Sequence, residues 1–168
     1  GPYSGCSINS GSYNFLVGYG VGKNITTGCK NIAFLGGDSM GATACCNIVM
    51  GNEAGYNLDT GVGNIAIGAQ AGCDITSGQQ NIFLGKLAGT NSTTGSDNIA
   101  IGNLAMGYGT VTGSRNIAIG CCAGQSITSG DRNIYLGKLA GTNSTTGSDN
   151  IAIGNLAMGY GTVTGSRN

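Results

Sequence analysis

Short apolar phrases recur along the chain, each opened by asparagine and closed by glycine. Asn-Ile-Ala-Ile-Gly stands at 64–68, 98–102, 116–120 and 150–154, with Asn-Ile-Val-Met-Gly at 47–51, Asn-Ile-Phe-Leu-Gly at 81–85 and Asn-Ile-Tyr-Leu-Gly at 133–137. β-Branched residues at alternate positions predict a short strand in each phrase, and the flanking glycines predict corners. The opening residues, Asn14, Asn31, Asn47, Asn64, Asn81, Asn98, Asn116, Asn133, Asn150 and Asn168, are 16 to 18 residues apart. A fixed period of this kind marks a repeat architecture.

As a frame the repeat reads N-I-A-I-G-x-x-A-G-x-x-I-T-[ST]-G-x-x, numbered here from position 1 at asparagine. Seventeen residues are too few for a helical hairpin but suit one turn of a parallel β-solenoid. The expected fold is therefore all-β: a single solenoid domain over 1–168, with repeats starting at 14, 31, 47, 64, 81, 98, 116, 133 and 150. That makes about nine coils of 16–18 residues. The residues before Asn14 already follow the frame, which suggests a segment of a longer fibre.

Stacking turns each frame position into a column. Isoleucines at positions 2 and 4 are the expected core: Ile65, Ile67, Ile82, Leu84, Ile99, Ile101, Ile117, Ile119, Ile134, Leu136, Ile151 and Ile153. One such side chain is worth roughly 1.5–3 kcal/mol when buried, too little for a lone coil, so stability must come from the stack. The asparagines Asn14, Asn31, Asn47, Asn64, Asn81, Asn98, Asn116, Asn133 and Asn150 suit an amide ladder, because a carboxamide both donates and accepts. Position 3 then points away from the isoleucines, yet it is apolar throughout, with Ala66, Phe83, Ala100, Ala118, Tyr135 and Ala152. On that parity both strand faces are buried, and position 3 is the expected contact with a neighbouring chain. Alanine at position 8 predicts a thin coil. Residues 81–116 and 133–168 are identical except for Phe83 against Tyr135, which indicates duplication of a three-coil unit.

Composition narrows the function. Thirty-four glycines with one proline and no G-X-Y period exclude collagen, and the 40% apolar content argues against disorder. Seven basic and seven acidic residues cancel, so nothing favours nucleic acid or an anionic membrane as partner, and no apolar run is long enough to span a bilayer. Histidine is absent, which removes the commonest general base and metal ligand. No catalytic or metal site and no cofactor is expected.

Cys29 occupies position 16 of its repeat and Cys46 closes the next, shorter one, so stacking makes them near-vertical neighbours. Cys29 with Cys46, or with the adjacent Cys45, is the candidate disulfide. Asn24, Asn91 and Asn143 open N-x-T sequons in the outward turn region and are candidate glycosylation sites. The Thr/Ser positions 13 and 14 raise ice binding, but turns in which hydroxyls bond the backbone explain them more simply.

The phrase Asn-Ile-Ala-Ile-Gly, followed by Ala-Gly and a Thr/Ser-Gly turn, resembles the repeats of trimeric autotransporter adhesin heads and of phage and viral tail fibres. The resemblance covers nearly the whole chain. It implies a parallel β-roll, three chains around a common axis and the strand face turned to that axis. The expected function is a structural one: a rigid stalk or head of an extracellular, cell-surface or virion-surface fibre, partnered with itself as a homotrimer. Such a segment presents or forms an adhesive surface. The alternative is a direct binding surface for glycan, host receptor or ice, built from the exposed Thr, Ser and Asn turns.

Overall fold

A computed structural model describes residues 1–35 and 40–167; Asn168, the tenth asparagine, lies outside them. Each phrase forms a three-residue strand: β1 Phe15–Val17, β2 Ile32–Phe34, β3 Ile48–Met50, β4 Ile65–Ile67, β5 Ile82–Leu84, β6 Ile99–Ile101, β7 Ile117–Ile119, β8 Ile134–Leu136 and β9 Ile151–Ile153. They join in chain order into one parallel sheet. Equivalent residues pair across it, as in Ile65 with Ile82, Ala66 with Phe83 and Ile67 with Leu84. The chain is thus an all-parallel β-solenoid of about eight turns, with no helix among the described residues. At about 4.8 Å per strand the sheet is roughly 40 Å long.

Successive coils also bond along the opposite wall, where Gly72 N–H donates to the Ala88 carbonyl and Gly89 N–H to the Ala105 carbonyl, both at 2.9 Å. The corner after every strand except β2, where Leu35 (φ 52°) stands, is a glycine. Gly102 has φ +127°, and a Cβ there would lie 2.7 Å from the Gly120 carbonyl oxygen of the next coil. Two other corners use non-glycine residues in the left-handed region, such as Leu87 (φ 60°) and Gln80 (φ 57°). Each costs about 1–2 kcal/mol, which the regular stacking on both sides sustains.

The parity of the strand is the reverse of that expected. Asn64, Asn81, Asn98 and their equivalents are fully buried, and alternation along a strand then puts position 3 on the same, inner side. Ala66, Phe83, Ala100, Ala118, Tyr135 and Ala152 accordingly fill the interior of their own coils. They are not a contact face between chains. The columns predicted as core lie outside: Ile65, Ile82, Leu84, Ile99, Ile101, Ile117, Ile134 and Leu136 are half-buried, and Ile67, Ile119, Ile151 and Ile153 are exposed. The reason is thickness. Alanine at position 8 brings the two walls so close that two isoleucines per strand have no room between them.

What faces the sheet from the far wall is position 12, with Ile25, Leu58, Ile75 and Ile127 all fully buried. It shrinks to serine where position 3 is aromatic. Ala66 and Ala118 share coils with Ile75 and Ile127, whereas Phe83 and Tyr135 share coils with Ser92 and Ser144. Position 9 adjusts the fit further. Gly89 lies under the Phe83 ring, where an added Cβ would come within 2.6 Å, and Gly141 lies under Tyr135 in the same way. The coils of Ala100 and Ala152 instead carry Met106 and Met158 at that position. The three-coil duplication therefore copies a complete cycle of interior volumes: small with isoleucine, aromatic with serine, small with methionine.

Candidate functional site

The asparagine ladder defines which side of the strand is available. Each amide closes its own coil, as when Asn64 Nδ2 donates to the Gly78 carbonyl at 2.9 Å. Its oxygen then accepts from the next coil, with Asn81 N and Nδ2 both 3.0 Å from Asn64 Oδ1. The pattern continues from Asn14 to Asn150. With both hydrogen-bonding ends engaged inside the wall, these amides offer nothing to a ligand. They fix the outward direction of the residues between them.

The outward side of the nine strands is a double column of Ile, Leu, Val, Met and Phe in unbroken register, from Phe15 and Val17 to Ile151 and Ile153. Neighbouring coils cover part of each side chain, so central members such as Ile67 and Ile119 keep 37% and 39% of their surface open. Eight of the eighteen side chains are exposed and ten half-buried, which together leaves on the order of 1,000 Å² of apolar surface, against roughly 800 Å² per partner in a standard protein interface. A contiguous apolar area this large exceeds what ordinary monomer surfaces carry.

The threonine turns differ. Thr26, Thr76 and Thr128 donate their hydroxyls to main-chain carbonyls of the following coil, at 3.3, 3.2 and 3.1 Å. Those hydroxyls knit turns together rather than stand as an open array. Of the sequons, Asn24 is exposed, whereas Asn91 Nδ2 donates to the Tyr108 carbonyl at 3.2 Å and Asn143 Nδ2 to the Gly159 carbonyl at 3.0 Å. A glycan at either of the last two would displace that bond.

One ion pair forms on the flank among the described residues: Arg132 grips Asp149 through Nε–Oδ1 at 2.6 Å and Nη2–Oδ2 at 3.0 Å. The hydrogen bonds of the pair hold the Asp149 carboxyl below the usual carboxylate range and raise Arg132. Both groups are exposed, so the contact adds little to stability. Polar ladders of the same kind link Gln70 to Glu53 and Asn57 to Asp74.

Of the two partners expected for Cys29, the structure brings up the thiol of Cys45 and not that of Cys46. Cys29 Sγ lies 3.2 Å from Cys45 Sγ, whereas Cys46 meets Cys29 through its main-chain N–H, 2.9 Å from the Cys29 carbonyl. The residue missing from the 16-residue repeat falls ahead of Gly41, as the bonds from Gly41 N to the Leu58 carbonyl and from Thr26 N to the Ala42 carbonyl show. Cys45 therefore takes the place Cys29 has in its own coil, and Cys46 moves to the left-handed corner, with φ 61°. Hydrogen bonding to Cys45 is the main influence raising the Cys29 thiol pKa. Burial, with the carboxylates of Asp74 and Glu53 nearby, pushes Cys73 up to about 11, so that thiol is unreactive at neutral pH. No group of three or more potential metal ligands gathers among the described residues.

Sequence reasoning missed the position-12 column. Its signal was the exchange of isoleucine for serine wherever position 3 turns aromatic. In comparisons, no protein-family model, no curated protein and no solved structure matches the chain.

Proposed function

We propose that the chain is a structural segment of an extracellular or virion-surface fibre, a rigid stalk or head that presents or forms an adhesive surface. In this reading it works as a homo-oligomer packed along the outward isoleucine face. The observation that carries it is the double apolar column itself, about 1,000 Å² in register over nine strands, an area sufficient for a stable interface.

Periodicity favours another copy as the partner. A partner matching this face along its length must present its own side chains at the same rise of about 4.8 Å per coil, and an identical solenoid does so automatically. Three copies around an axis would cover the face of every chain at once, the arrangement implied by the repeat's resemblance to trimeric adhesin heads and tail fibres.

Light scattering on the purified chain tests this. The expected mass is three times that of one chain, and Ile101→Asp with Ile119→Asp should reduce it to one while the β-rich circular dichroism persists. A wild-type mass of one chain at every accessible concentration would overturn the proposal.

A further inference from the structure

We propose that Cys29 and Cys45 are a modification site: a covalent staple between neighbouring coils, closed by exchange with a small-molecule disulfide. The two sulfurs are already 3.2 Å apart. Cys29 N–H donates to Cys45 Sγ at 3.0 Å, and Cys46 N–H donates to the Cys29 carbonyl at 2.9 Å, so the main chain on both sides of the pair is fixed. Strand spacing of about 4.8 Å lies inside the roughly 4.4–6.8 Å Cα range that a disulfide spans. Both cysteines are half-buried, accessible to a small reagent.

The other thiols lack this combination. Cys46 is exposed, at the corner that Lys30 and Gly63 occupy in the coils on either side. Cys121 and Cys122 bring their sulfurs to 3.3 Å, but they are adjacent in one coil, and a bond between them would join nothing across the stack. Location gives the staple a purpose. It links the coil before the shortened repeat to the shortened repeat itself, the one place where register must be kept with a residue missing.

The chemistry balances with the small disulfide as oxidant. One cysteine thiolate attacks it, forming a mixed disulfide and releasing one small thiolate. The second cysteine thiolate then attacks the protein-borne sulfur, forming the Cys29–Cys45 bond and expelling the second small thiolate. The protein gives up two electrons and two protons, and the reagent leaves as two thiols.

The full chain incubated with oxidised glutathione, then digested and mapped by mass spectrometry without reduction, tests the site. The expected product is a crosslinked peptide pair joining Cys29 to Cys45, with neither residue retaining glutathione. Cys46→Ser should crosslink as the wild type does. Cys45→Ser should slow any crosslink at Cys29 at least tenfold and leave a glutathione adduct there. A Cys29–Cys46 link in the wild type would overturn the proposal, as would stable glutathione adducts on both Cys29 and Cys45.

Discussion

Residues 81–116 and 133–168 differ at one position, yet they do not occupy the same environment. Met106 is fully buried, whereas its copy Met158 is only partly so; Ile99 and Ile101 are half-buried, whereas Ile151 and Ile153 expose 56% and 67% of their surface. The sequence around them is the same. What differs is the next coil, since described coils follow the first copy on both walls and the second copy has none beyond β9. Burial in this protein is thus conferred by a neighbour, and each coil's stability is a term shared with the coil after it.

Substitutions at the paired positions separate what a coil brings from what its neighbour adds. The largest effect is expected from Gly141→Ala and Gly89→Ala. Both glycines have φ near +60°, and a methyl group would run into the ring of Tyr135 or Phe83. Left-handed strain and overpacking together should cost about 4 kcal/mol in denaturant unfolding. Shrinking the ring as well, in Tyr135→Ala with Gly141→Ala, should cost less than the sum of the single changes; simple additivity would place the ring elsewhere.

A smaller and more discriminating effect concerns the methionines. In the 168-residue chain taken alone, Met106→Ala should destabilise by about 3 kcal/mol through the cavity it leaves, and Met158→Ala by about 1 kcal/mol or less. Equal losses would mean that the coil itself, not its successor, sets the burial.

The smallest probes the one difference in sequence. The Tyr135 hydroxyl and the Ser144 hydroxyl are both buried without a well-formed hydrogen bond, and burial pushes the Tyr135 phenol above its ordinary pKa. Tyr135→Phe makes the second copy match the first and should stabilise it by about 1 kcal/mol. A loss of stability instead would indicate that the hydroxyl holds a bound water or another partner.

Period, strand position and parallel stacking were legible because they depend on spacing alone, and the observed strands start one residue after each predicted asparagine. Facing was not legible from hydrophobicity. Isoleucine outranks alanine on any burial scale, so hydrophobicity turns Ile99 and Ile101 inward and Ala100 outward, and a shift of one position inverts a whole strand. Two clues pointed the other way. An asparagine repeated in every coil has most to gain in a dry interior, where its amide can be fully satisfied, and it shares a side with position 3. The exchange of Ile75 for Ser92 beside Phe83 ties position 3 to the far wall. Cys45 was displaced by a related ambiguity, because a missing residue leaves no mark of where in the repeat it is missing.

The asparagine ladder also has a direction. From Asn14 to Asn133 each amide oxygen accepts from the main-chain N–H of the asparagine in the coil that follows, while the amide nitrogen also closes its own coil. Main-chain bonds between coils run both ways, so it is this one column that gives the stack unlike ends: its side-chain oxygens all face the following coil. During synthesis the earlier coil is made first, so the asparagine of each new turn emerges onto an amide oxygen already in place. Growth from amino to carboxyl end is the order in which the ribosome supplies the parts.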